Sequence, residues 1–375
     1  MPQSLSLLSA VSLLHLGALT FAHSASGGET AAQQQQPRHM LEEIQGYAAP
    51  HFQRRDWSTP DVDTRDKKHL RCGPGVGFCA PGDCCSHSGY CGRGFRHCES
   101  PNCQINYSDS CDSSKKPLGE PTLNVSRPLI GNVTYDSAGI QNCKIPGTIA
   151  LTFDDGPYNY TSHVLDALAS YGAKATFFIT GNNLGKGQID IEETGWPAIL
   201  RRMHAEGHQI AGHSWGHQNM SSLNETEMVN QVHYLEMAIR NVMGFIPTYF
   251  RPPFDDCTSD TCKNVLKRMG YHISKFVQNW VNSDGVNIQN AKNLFLNSMR
   301  QTNPREVDYI FLLHDTHYQT SWNLTSFMLE HFQLFNYSRL VTVGECMGDP
   351  PQNWYRTAGG APNRTLLVGH PIESR

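Results

Sequence analysis

Between Cys143 and Cys346, short apolar runs alternate with amphipathic stretches, and this rhythm restricts the fold more than any other feature of the chain. "TIALTF", "KATFFIT", "HQIAGH", "PTYF", "YHISKFV", "DYIFLLH" and "RLVTV" read as strands. Between them, "TSHVLDALASYG" places Val164, Leu165 and Leu168 on one face and stops at Gly172, the pattern of a helix with its terminator. "WPAILRRMHAEG" carries Pro197 in a first turn and Gly207 just past the end. "SLNETEMVNQVHYLEMAIRNVMG" is expected to open on a Ser222/Glu225 capping box and to close at Gly244. "CKNVLKRMG" and "SFMLEHFQLF" continue the series. Strands alternating with helices imply βα units, hence an α/β domain on a parallel sheet or barrel.

Reactive residues follow these strands directly. Asp154 and Asp155 follow "IALTF", His213 and His217 follow "HQIAG", Arg251 follows "PTYF", and His314 and Asp315 end "DYIFLLHD". In parallel folds the C-terminal strand ends converge on one face, where active sites form. These groups can therefore meet although they are far apart in the chain.

A hydrolytic zinc site needs about three protein ligands and one open position. The stretch "MHAEGHQIAGHSWGH" offers two pairs of equal spacing, His204/His208 and His213/His217, so H-x-x-x-H alone does not choose. Position does: His204 falls in the last turn of a helix, His208 begins a strand at its far end, and His213 and His217 follow the strand. Asp155 completes a ligand set, leaving Asp154 free to take a proton from water.

"TFDDGP" followed by "ATFFITGNN", then "HSWGH", "RPPF" and "FLLHD", in that order, resembles the motif set of the polysaccharide deacetylases with a NodB-homology domain, the fungal chitin deacetylases most of all. The resemblance runs from about Cys143 to Cys346 and implies a distorted (β/α) barrel. It implies that Asp155, His213 and His217 bind zinc, or cobalt or another divalent metal. It makes Asp154 the general base and Arg251 its holder. The backbone N–H of Phe254 helps to stabilise the oxyanion, and His314 protonates the leaving amine. The family holds that histidine with an aspartate, for which "VQNWVNSDG" offers Asp284. In this segment the chain departs from the family's D-x-x-D plus aromatic, with Val281 and Gly285 at two of those positions and Trp280 nearby. Phe254 stands where many relatives have Tyr. Leu313, or Leu312 beside it, is placed to line an acetyl pocket, and a core strand residue explains either equally well.

Eight of the twelve cysteines lie between Cys72 and Cys111. So short a segment cannot bury a sufficient apolar core and depends on cross-links. Zinc is the competing reading, against which stand the absence of C-x-x-C pairs and the signs of export. The pattern resembles the hevein-like chitin-binding module, which implies the pairs Cys72–Cys85, Cys79–Cys91, Cys84–Cys98 and Cys103–Cys111. Ser86 and Tyr90 match its sugar-binding positions. Ser88 and His97 stand where aromatics are common, and Phe95 is a neighbouring ring. In the larger domain, Cys143 with Cys346 would staple its two borders, and Cys257 with Cys262 would close a small loop after "RPPF".

The resulting organisation is a signal peptide over 1–25, a pro-segment or linker over 26–70, the hevein-like module over 71–111, an extended sugar-bearing linker over 112–142, the deacetylase domain over 143–346, and a loose tail over 347–375. No Lys or Arg precedes the apolar run of the leader, so a signal anchor is the alternative. Sequons at Asn106, Asn124, Asn132, Asn159, Asn219, Asn224, Asn323, Asn336 and Asn363 fit a secreted, extracellular or cell-wall protein. A net charge of −4 without a basic block argues against nucleic acid. No stable membrane insertion is expected, and a monomer is. The function expected is a secreted, metal-dependent chitin deacetylase acting on chitin or chitooligosaccharides. The alternatives are a chitin-coating protein with an inert domain, and a deacetylase of peptidoglycan or acetylated xylan.

Overall fold

Every residue of β1 (Thr148–Asp154) is buried, which is why "TIALTF" runs apolar without alternation: both faces of the strand are covered. In this computed structural model, which describes residues 71–136, 138–275, 287–306 and 308–357, β1 is the hub of a parallel sheet. On one side follow β2 (Thr176–Ile179), β3 (Gln209–Gly212), β4 (Tyr249–Phe250) and β5 (His272–Ile273). On the other edge β6 (Tyr309–His314) pairs from Ile149↔Tyr309 to Asp154↔His314. A last strand, β7 (Arg339–Val341), pairs with Thr148–Ala150, below the stretch that β2 occupies on the same edge. The result is a curled parallel half-barrel.

The helices cover this sheet with their apolar stripes. α1 (Thr161–Ser170) buries Val164, Leu165 and Leu168. α2 (Trp196–Ala205) has Pro197 in its first turn and buries Trp196, Leu200 and Met203. α3 (Glu225–Met243) ends on Gly244 in the left-handed conformation that favours glycine. Its capping box is formed by Asn224 and Glu227, two residues after the expected Ser222/Glu225 pair. Ser222 is already held in the turn Met220–Ser222, where its backbone and hydroxyl both bond to Asn219. α4 (Asp260–Arg268), α5 (Ile288–Arg300) and α6 (Thr325–His331) complete the layer.

Two segments expected to be loose are packed. The stretch expected to extend as a linker is pinned to α3. Both Nη atoms of Arg127 lie 2.7 Å from the carboxylate of Glu236, which also accepts from Thr122 and Tyr271. Glu236 is fully buried, and a buried carboxylate demands such partners. At the other end, 347–357 belongs to the domain: Trp354, Tyr355 and Arg356 are buried, and Tyr355–Arg356 pairs antiparallel with Ile246–Pro247. Apolar area under that segment is what "PPQNWYR" hides among its prolines.

In the cysteine-rich module regular structure is confined to a two-strand ribbon, Cys84–Cys85 with Cys91–Gly92, the short helix Phe95–Cys98 and a 3-10 turn Ile105–Tyr107, and disulfides take the place of a core. The bonds are Cys72–Cys85, Cys79–Cys91, Cys84–Cys98 and Cys103–Cys111, with Cys143–Cys346 and Cys257–Cys262 in the larger domain. No helix among the described residues is long and apolar enough to cross a membrane. The leader, the pro-segment, Trp280, Val281, Asp284 and Gly285 lie outside the described residues.

Candidate metal centre and active site

The C-terminal ends of β1, β3, β4 and β6 deliver their polar residues to one place. Nε2 of His217 lies 3.0 Å and Nε2 of His213 3.4 Å from Oδ1 of Asp155. Among the described residues, Asp155, His213 and His217 form one candidate metal-holding group; the other, Cys72, Cys79 and Cys85, is made of disulfide-bonded cysteines. Among the described residues, buried Asp155 Oδ1 has no aligned hydrogen-bond donor, although two ring nitrogens face it. One carboxylate oxygen and two imidazoles converging on a single point fit a divalent metal of the zinc type.

The tautomer of His213 is fixed from behind. Its Nδ1 lies 2.6 Å from the carbonyl of Arg251, which can only accept, so Nδ1 carries a proton and Nε2 is the ring nitrogen turned toward Asp155. Burial would lower the His213 pKa, but the charges of Asp154 and Asp155 prevail and raise it. Burial would likewise raise Asp155, yet the facing His217 and His213 hold its carboxyl well below the usual range.

Asp154 and Asp155 are neighbours with different surroundings. Nη1 of Arg251 donates to Asp154 Oδ1 at 2.7 Å and to Thr152 Oγ1 at 2.7 Å, while Nη2 donates to the Lys275 carbonyl at 3.0 Å. The guanidinium lies over the Phe178 ring, 4.0 Å from its centroid. Thus Asp154 is held by a cation through Oδ1, with Oδ2 3.6 Å from His213 Nε2, and Asp155 faces both His213 and His217.

Across the sheet, His314 is paired in register with Asp154. Its Nε2 is 3.9 Å from Asp155 Oδ2. Burial lowers its pKa against the pull of Asp155 and Asp154, and its buried Nδ1 has no partner among the described residues. Side chains alternate along a strand, so Leu312 shares the face of His314 and Leu313 points away from it. Leu313 is fully buried in the main core, so of the two expected leucines it is Leu312 that lies on the side of His314.

Phe254 projects at the rim, 61 % exposed, with its ring 4.6 Å from that of His217. Five of the seven described non-glycine residues with left-handed backbone angles are Asp155, Ser214, His217, Phe254 and Asp255. Each such residue costs on the order of 1 kcal/mol or more, and their concentration here marks the site as the place where strain is held.

Sequence reading missed what lies beneath Asp155. Lys186 is buried, and its Nζ donates to the carbonyls of Asp155 at 3.0 Å and Gly156 at 3.1 Å and to Thr180 Oγ1 at 2.9 Å. Burial pulls its pKa down to about 7, and burial pushes that of Asp315 up to about 7. A lysine within "GNNLGKGQ" looks solvated; only the fold shows that it is enclosed.

In the small module, Ser86 Oγ accepts from Tyr90 N at 3.1 Å and lies 3.2 Å from Ser88 Oγ, so these three sit together. Tyr90 is 46 % exposed, with Arg71 over one ring face at 4.3 Å. Ring Nδ1 of His97 lies 3.3 Å from the Arg93 carbonyl. Phe95 packs toward Gly185 of the larger domain.

A parallel half-barrel with an Asp/His/His cluster and an Arg-held acid at its strand ends defines a hydrolase of the metal-site class. The profile of the Polysaccharide deacetylase family matches residues 141–274. The chain is similar to the chitin deacetylase of Colletotrichum lindemuthianum, 37 % identical over 224 residues that cover 58 % of this chain and 86 % of that one. It is similar to the chitin deacetylase of Pestalotiopsis sp, 36 % identical over 222 residues covering 59 % and 70 %. The solved structure of the Colletotrichum lindemuthianum enzyme superposes with a TM-score of 0.53 at 36 % identity, covering 58 % of this chain and 94 % of that one. The chain belongs to the polysaccharide deacetylase family and is a polysaccharide N-deacetylase, a hydrolase of amide carbon–nitrogen bonds.

Proposed function

We propose that this protein is a secreted chitin deacetylase that hydrolyses the N-acetyl groups of N-acetylglucosamine residues in chitin, giving chitosan and acetate. The observation that carries the reading is the division of labour between adjacent acids: Asp155 faces His213 and His217, while Asp154 is held by Arg251 at 2.7 Å. Two relatives with the printed name chitin deacetylase support the substrate, and so does the Ser86/Ser88/Tyr90 cluster of the disulfide-bonded module. Six disulfides support export.

Asp155, His213 and His217 would hold the metal, zinc in our reading. A divalent ion there supplies Lewis acidity toward water and the acetyl carbonyl. Asp154, oriented by Arg251, takes the proton of the attacking water. The N–H of Phe254 stabilises the oxyanion. His314 delivers a proton to the departing amine, which leaves poorly without one, and Asp284 is assigned to orient His314. Leu312 contacts the acetyl methyl. Ser86, Tyr90, Phe95 and His97 bind N-acetylglucosamine in the module. The protein acts as a monomer.

The test is acetate release from chitin oligomers, peptidoglycan fragments and acetylated xylan in parallel. The reading expects chitin oligomers to be turned over fastest. Preferential release from either other polymer would replace the substrate and keep the chemistry; no release from any would leave a chitin-coating protein.

A further inference from the structure

The cysteine-rich module does not hang from the deacetylase domain. The residues that bracket its last disulfide loop, Ser100 and Pro101 before Cys103 and Ser113 after Cys111, lie against the turn that carries His217. Ser100 and Ser113 are both fully buried and are locked together, Ser113 N donating to Ser100 Oγ at 2.9 Å. The Gln231 side chain bridges the two parts. Its Oε1 accepts from Gly216 N at 2.8 Å, and its Nε2 donates to the Ser113 carbonyl at 3.0 Å. Its own backbone carbonyl accepts from Trp215 N at 2.8 Å. Around this bridge, Leu184 N donates to the Ser100 carbonyl at 2.8 Å, and Asn182 Nδ2 donates to the Asp112 carbonyl at 2.9 Å.

Gly216 shows how close the approach is. A Cβ there would stand 2.2 Å from Ser113 Cβ and 2.9 Å from its Cα. Gly216 is not among the glycines with positive φ, so space rather than backbone angle demands glycine. The next residue is the ligand His217, itself in the left-handed region at φ 55. A non-glycine residue keeps that conformation only where its surroundings hold it, and Gly216 and Gln218 on either side of it are both engaged by the module.

We propose that the 100–113 segment, the last loop of the module with the first two residues beyond it, is a positioning element of the metal centre, which props the turn bearing His217 and so sets the affinity of the Asp155/His213/His217 site for a divalent cation. The inference rests on the reading that these three residues bind metal. It adds a role for the module that sugar binding does not supply. Residues that support metal ligands without touching the metal typically change affinity about 10- to 100-fold when altered.

The experiment measures zinc affinity of the full chain by competition with a chromophoric chelator, without reference to turnover. Gly216→Ala forces Ser113 away, and Gln231→Leu removes the bridge while adding no bulk. Both are expected to weaken zinc binding about tenfold or more. Gly216→Ala with Ser113→Gly is expected to recover part of the loss. The control is Cys143→Ser with Cys346→Ser, which loosens the domain near the start of β1 and is expected to leave zinc affinity within about twofold of wild type. Unchanged affinity in Gly216→Ala overturns the inference, as does an equal loss in the control. If Gly216→Ala does not fold, Gln231→Leu decides by the same criterion. A wild-type chain that binds no zinc would instead overturn the metal reading itself.

Discussion

Asp154 and Arg251 form a buried ion pair, Oδ1 to Nη1 2.7 Å, beside a second carboxylate that Arg251 does not hold. Arg251 serves the site twice, because its backbone carbonyl also fixes the tautomer of His213. The two tasks use different atoms and can be separated. Arg251→Lys should lower kcat about 100-fold by releasing Asp154 while leaving bound zinc unchanged, since the carbonyl survives. Metal content and kcat measured on one preparation check this; zinc lost in parallel with kcat would contradict it.

His217 and His204 of "MHAEGHQIAGHSWGH", and Asp154, should respond differently to substitution. His217→Ala should abolish metal binding and activity together. Asp154→Asn should abolish activity and keep most of the metal. His204→Ala should do neither: its ring packs between Phe245 and Tyr355 on the helix before β3. Metal analysis with acetate release separates the three outcomes.

Acid should unfold the domain through His208 and His233. Both are buried, and burial lowers the first to about 3 and the second to about 4. Nδ1 of His208 accepts from Ala175 N at 3.2 Å, so the ring is bound as the neutral form, and Glu206 at 3.7 Å does not outweigh its burial. The unfolded chain protonates both near pH 6.5 and the fold does not. The unfolded state therefore binds more protons below that pH, and stability falls as pH falls from about 6.5 toward 4, and toward 3 for His208. Each histidine contributes a slope of up to about 1.4 kcal/mol per pH unit. Denaturant midpoints across this range should show the decline, and His208→Gln should flatten it.

The Cys143–Cys346 bond closes a loop across 203 positions. By chain entropy such a bond is worth about 5 kcal/mol at most. Cys143→Ser with Cys346→Ser should lower Tm markedly; an unchanged Tm would show that the packing of β7 on β1 suffices alone.

Strand ends were legible because a strand buried on both faces is a continuous apolar run, and the polar residue that breaks it must face the open end. Asp154, Asp155, His213, His217, Arg251 and His314 were found this way, and position relative to β3 separated His213/His217 from His204/His208. What was not legible depended on distant partners. Lys186 and Glu236 look like ordinary surface charges until the fold encloses them. The choice between Leu312 and Leu313 turns on strand phase, which only pairing with β1 supplies. The capping box slipped by two because Ser222/Glu225 and Asn224/Glu227 have equal spacing, and a preceding turn claims Ser222. The seating of the module and of 347–357 leaves no periodic trace, since both bind through backbone carbonyls and isolated rings.

The most direct test of the account is acetate release from chitin oligomers by the full chain, before chelation, after it, and after zinc is returned. The account predicts release that disappears with the metal and returns with it. A chain with zinc bound that releases no acetate from any chitin oligomer would contradict it.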